Sequence, residues 1–266
     1  MSLTRLIATL WCAICATSAT AHEFWIEPDT FQVPPSGQIV ARLKNGELFE
    51  GVTLAYFEQR IARFDVVVGD TVRPVEARMG DNPALDVPAP VGGLAVVVHE
   101  TEPSILTYKA WDKFQAFADH KDFGDIEAHH AANGFPDPPF KERYTRHAKA
   151  LIAVGDGEGA DRALGLKTEF IALTNPYAPQ FDGTMQVQVT LEGAVRPDAQ
   201  VEVFERAPDE QVTVTLHRTD ANGIATIPVK PAHDYLFDAV SIVPIANGDG
   251  AVWDTHWAAL TFGVPD

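Results

Sequence analysis

Hydrophobic and polar positions alternate near both ends of this chain and change period in the middle. Residues 38–43 (Gln-Ile-Val-Ala-Arg-Leu) and 185–191 (Met-Gln-Val-Gln-Val-Thr-Leu) alternate one by one, the signature of a strand with one face covered. Residues 64–68 and 94–99 are short apolar runs rich in valine, which also predict strands. Turn chemistry separates these segments at 34–37 (Pro-Pro-Ser-Gly), Asn45-Gly46, Gly69-Asp70 and Gly92-Gly93. The proline-rich stretch 86–90 predicts an ordered surface loop.

The period changes at Tyr108. Tyr108, Trp111, Phe114 and Phe117 recur every third residue and predict one side of a helix, a core stripe. A second helix is predicted over 123–133, ended by Gly134 and Pro136. A third is predicted over 140–153, with Tyr144, Ala148 and Leu151 on one face. Residues 155–165 hold four glycines and three acids and predict an exposed linker. Strands return from about residue 168: 185–191, 201–205, 211–216, 224–229, 235–243 and 252–262. Asn222-Gly223 predicts a hairpin turn. The fold class expected is mainly β: two β-sandwich-like domains, immunoglobulin-like or transthyretin-like, over 22–105 and 167–266, with a helical insert over 106–153 packing on the first.

The first 21 residues read differently. Arg5 precedes an apolar run over 6–16, too short to span a bilayer, and small residues Ala19 and Ala21 occupy the −3 and −1 positions of a signal-peptidase site. Residues 1–21 are therefore expected to be a signal peptide cleaved after Ala21, giving a periplasmic or secreted product. Both cysteines, Cys12 and Cys15, fall inside that segment. The remainder can form neither a disulfide nor a thiolate metal site. It keeps 19 Lys+Arg against 37 Asp+Glu, because only Arg5 is lost from the 20 basic residues of the precursor. That acidity opposes nucleic-acid binding and suits a protein that meets cations. No later apolar run approaches the roughly 20 residues of a membrane helix.

Cleavage after Ala21 would place His22 first. A first-position histidine offers a free α-amine, with a pKa near ~8, and an imidazole Nδ1. Together they can chelate one Ni²⁺, Co²⁺ or Cu²⁺ ion, with affinity rising with pH. The run Phe24-Trp25-Ile26 predicts a strand that anchors this terminus. Of the nine histidines, His99, at the end of an apolar run, and His256, between Trp253 and Trp257, are the candidate second ligands. His129 and His130 are adjacent and would diverge on a helix. No GxSxG, HExxH or Ser/His/Asp grouping is present, so no catalytic residue is assigned and the chain is not expected to be an enzyme.

Four segments together carry a family resemblance: His22-Glu-Phe-Trp-Ile-Glu-Pro28, Tyr144-Thr-Arg-His-Ala-Lys-Ala-Leu151, Thr219-Asp-Ala-Asn-Gly-Ile-Ala225 and Trp257-Ala-Ala-Leu-Thr-Phe262. They resemble the exported domain-of-unknown-function family number 4198, often described as the periplasmic component of a cobalt or nickel transport system. The resemblance implies a β-rich periplasmic accessory protein that binds Ni²⁺ or Co²⁺ and serves a membrane uptake permease. Two alternatives stand beside it. One is a copper oxidase or oxygenase that holds Cu²⁺ between His22 and a second histidine. The other is a structural or adhesive β-sandwich protein without metal.

Overall fold

The structure, a computed structural model, describes residues 22–245 and 250–266. The expected signal peptide lies outside the described residues. Among those residues the chain is mainly β, with helices Trp111–His120 and Ile126–Ala132 and one short 3₁₀ turn, Glu58–Arg60. No helix there is long and apolar enough to cross a membrane.

A ten-stranded sheet forms the middle layer. From one edge its strands run Val212–Arg218, Gln200–Arg206, Asp234–Pro244, Ala251–Gly263, Phe140–Val154, Gly93–Thr101, Ile61–Val68 and Thr71–Pro74, while Gln32–Val33 and Ser104–Tyr108 also pair with Phe140–Val154. The two central strands, Phe140–Val154 and Ala251–Gly263, are parallel. They join the N-terminal and C-terminal halves in one sheet, so the boundary expected between 153 and 167 does not divide the sheets.

Each face of this sheet is covered. Alternate residues Ala148, Ala150, Ile152 and Val154 join Phe24, Trp25, Ile39 and Leu85 in one core, under the small sheet of Glu23–Pro28, Gln38–Glu47, Glu50–Leu54 and Leu85–Pro88. The two helices extend this first layer, packing Phe114 and Phe117 on Trp253 and Trp257. On the second face, Leu151 and Ala153 join Met185, Val187, Val203 and Phe237, under the sheet of Thr168–Ala172, Thr184–Leu191, Ala194–Val195 and Ile224–Pro228. Phe114 and Phe117 are core, as the period predicts, with Trp111 partly buried beside them, while Tyr108 ends the strand Ser104–Tyr108 instead of joining the helix.

Four local expectations are corrected. Residues 140–153 form a strand rather than a third helix. This central strand is covered on both faces and its polar residues, such as Lys149, are buried in ion pairs, so no apolar-polar alternation marks it and the spacing of Tyr144, Ala148 and Leu151 reads as a helix. Asn45-Gly46 lies inside a strand, and the reversal comes at Leu48 and Phe49, both at positive φ. Gly46 is required instead because it faces Gly51 across the hairpin: a Cβ there would lie 2.0 Å from the Glu50 carbonyl oxygen. Asn222-Gly223 closes no hairpin. Asp220 Oδ1 accepts from the Asn222 and Ile224 amides and turns the chain from the central sheet into the small C-terminal sheet. The loop expected at 86–90 is strand as far as Pro88.

Candidate functional site

His22 sits one residue ahead of the strand Glu23–Pro28, whose Phe24, Trp25 and Ile26 are buried. Burying three large apolar side chains contributes about 1.5–3 kcal/mol each and fixes where the strand begins. Arg146 Nη2 donates to the His22 carbonyl oxygen at 3.0 Å, and Nη1 donates to the Asn45 side-chain oxygen. The guanidinium lies 5.2 Å from the Tyr144 ring centroid and 5.5 Å from that of Trp257, so two aromatic faces hold its plane. The backbone of His22 is thereby tethered while its side chain stays 55% exposed, with Nε2 3.6 Å from Glu47 Oε1.

A pocket of about 320 Å³ opens beside it, lined by His22, Asn45, Tyr108, Lys113, Glu142, Tyr144, Arg146 and Trp257 among others. Glu142 is buried at its base. Thr255 Oγ1 donates to Glu142 Oε1. Burial pushes the Glu142 carboxyl above the usual carboxylate range, against hydrogen bonds from Thr255 and Tyr108 that pull it down. Burial likewise works against the Arg146 charge.

Behind the pocket, Lys121 follows the first helix into the seam between helices, small sheet and central sheet. Its Nζ donates to Glu23 Oε1 at 3.0 Å, Glu202 Oε2 at 2.7 Å and Asp238 Oδ2 at 3.0 Å. These carboxylates bring ligand atoms within 4.8 Å of one another, a spacing a metal could use. The ammonium already fills it, spending all three of its N–H bonds. Burial is the largest influence on Glu23 and raises its pKa to about 7, with Lys121 opposing. On the opposite face Lys149 is held the same way, by Asp161 Oδ2 at 2.7 Å and Glu169 Oε1 at 3.1 Å. The glycine-rich segment expected to be a solvated linker is thus pinned to the sheet by Asp161.

The structure does not bring His99 and His256 together. Within Gly93–Thr101, Leu94, Val96 and Val98 face the second layer and Ala95 and Val97 the first. His99 therefore faces the first layer, where its ring is packed 5.0 Å from both Phe24 and Phe64. Burial lowers its pKa to about 3, and neither ring nitrogen has a hydrogen-bond partner. His256 alternates with Trp257 and Ala259 and shares the second face with Ala258 and Leu260. Its Nε2 lies 3.3 Å from Asp254 Oδ2, and its ring centroid 5.9 Å from that of His147. The three sequence-predicted ligands thus occupy three environments: an exposed rim, an aromatic pocket, and the far side of the sheet.

Nothing in the sequence marks Tyr144, Arg146, Asn45 or Glu47, which lie around His22, as site residues. Read as a strand, the segment 144–151 puts Tyr144 and Arg146 on the His22 side and His147 and Lys149 on the other. The match to the family model for a domain of unknown function (DUF4198) covers residues 19–242, most of the chain. The chain belongs to this family. No curated protein matches this DUF4198 chain. Two solved structures are similar at 11% identity: the tetra-tandem repeat in the extending region of a large adhesion protein, with 91% of this chain and 49% of that one covered and a TM-score of 0.21, and the D0-D1 domain of intimin, with 90% and 97% covered and a TM-score of 0.24. The chain spans about half the length of the first. At TM-scores this low, neither bears on what the DUF4198 chain does.

Proposed function

We propose that this is an exported metal-capture protein that takes up Ni²⁺ or Co²⁺, with Cu²⁺ the less favoured alternative, and passes the ion to a membrane uptake permease. Cleavage after Ala21 frees the α-amine of His22, which closes a chelate ring with Nδ1. The observation that carries this reading is the tether of His22: its carbonyl is fixed by Arg146 while its imidazole stays open to solvent. A held terminus loses less freedom on binding than a frayed one, so the chelate is partly pre-organised. Glu47, beside the imidazole, is the nearby carboxylate able to add an oxygen ligand. A copper brace needs a second imidazole on the same ion, and neither His99 nor His256 supplies it here.

Titration calorimetry tests the proposal on chain beginning at His22, on chain with one alanine added before it, and on His22→Ala. The processed chain is expected to bind one more equivalent of Ni²⁺ than either variant. Unchanged stoichiometry and affinity in both would sink it.

A further inference from the structure

The pocket beside His22 differs in charge from the chain that builds it. The sequence carries 37 Asp+Glu against 20 Lys+Arg, yet the lining holds Lys113 and Arg146, with Glu142 as its acid. Glu142, Tyr144 and Arg146 alternate along Phe140–Val154 and share one face of it. Lys113 comes from the helix Trp111–His120 and is exposed. Arg146 is a cation without an anion. Its hydrogen bonds end on the His22 carbonyl and the Asn45 side-chain oxygen, both neutral, and it forms no ion pair among the described residues. Each terminal nitrogen keeps a second N–H. Burial works against the Arg146 charge, and at Glu142 it favours the protonated, neutral form, so Glu142 offsets that charge poorly.

The missing charge is the kind a carboxylate supplies, because a guanidinium with free N–H groups binds that anion strongly. The rest of the lining sets what else the ligand carries. Tyr108, Phe117 and Trp257 are rings almost wholly buried, and those of Phe117 and Trp257 stack 5.7 Å apart at 12°. Such walls favour a flat apolar body, which offers them ring contacts that water cannot. An inorganic anion would leave these walls uncovered. The cavity of about 320 Å³ is small, at the low end of the roughly 300–1,000 Å³ of small-molecule sites. Aromatic walls with a few converging polar groups are the usual make-up of such sites.

We propose that this pocket binds a small aromatic monocarboxylate, its carboxylate on Arg146 and Lys113 and its ring against Tyr108, Phe117 and Trp257. The site goes beyond metal capture and needs no metal. Benzoate is the probe, titrated by calorimetry into metal-free chain beginning at His22. One equivalent is expected to bind with a Kd below about 1 mM. Benzamide keeps the shape without the charge, acetate the charge without the ring, and inorganic phosphate is an anion of another kind. Each should bind at least about tenfold more weakly than benzoate. Arg146→Gln and Lys113→Glu should each weaken benzoate about tenfold, with folding checked by circular dichroism. The proposal is overturned if benzoate does not bind at millimolar concentration, if any of the three comparison compounds binds as tightly, or if the folded variants bind benzoate as the parent does. Should Arg146→Gln fail to fold, the exposed Lys113→Glu and the comparison of compounds on the parent decide. Metal is absent throughout, so a failure of Ni²⁺ capture at His22 and a failure of this site are read separately.

Discussion

Lys121 and Asp238 meet at 3.0 Å in the interior, 117 residues apart in sequence, where the end of the first helix docks on the central sheet. With Glu23 and Glu202 on the same ammonium, one lysine joins the first helix, the small sheet and the central sheet. Lys121→Met keeps the length of the side chain and leaves three buried carboxylates facing one another. It should cost roughly 3–5 kcal/mol, the loss typical of breaking a buried ion pair from one side. Urea unfolding measures it, and a loss below 1 kcal/mol would show that the cluster is not holding the helices down.

Arg146 does for the terminus what Lys121 does for the helices. Arg146→Lys keeps a positive charge but cannot bridge the His22 carbonyl and Asn45 with one planar group. Ni²⁺ affinity of the processed chain should fall about tenfold while the stoichiometry holds. Calorimetry at fixed pH checks this. An unaltered Kd would separate the tether from metal capture.

The packing of His99 predicts a pH dependence. Its pKa is lowered by burial from 6.5 to about 3. Between those values the unfolded chain binds a proton that the folded chain refuses, so stability rises with pH through this window and drains away as pH falls. One such group sets a slope of at most about 1.4 kcal/mol per pH unit. His99→Leu removes the titrating group and keeps an apolar side chain between Phe24 and Phe64. The variant should lose stability less steeply than the parent between pH 6 and 4, scored by denaturant midpoints. Parallel curves would contradict it.

Gly46→Ala tests the hairpin beside His22. The added methyl would press on the Glu50 carbonyl and Gly51. A destabilisation of about 1–3 kcal/mol is expected from forced backbone shifts, read as a lowered Tm. A neutral result would mean the hairpin opens without cost.

The strands with one polar side are readable: Gln38, Lys44 and Gln186 mark faces that a residue count can find. Phe140–Val154 is not, because both of its faces are covered and its polar residues are buried in pairs, as Lys149 is with Asp161 and Glu169. The sheet division was hidden for a related reason. Pairing between Arg146 and Trp257 spans 111 positions and leaves no local trace. His22 stood out by its place behind Ala21. Its partner Arg146 did not, since nothing in a tetrad such as Thr-Arg-His-Ala states which neighbour reaches a carbonyl 124 residues earlier.

The alternation along 144–149 leaves no room for a change of length. Deleting one codon between Tyr144 and Lys149 would rotate everything downstream by half a turn about the strand axis, bringing basic groups under the apolar lid and methyl groups among stranded acids. Point substitutions in this hexapeptide can be absorbed one side at a time; a frame slip would forfeit both sides at once.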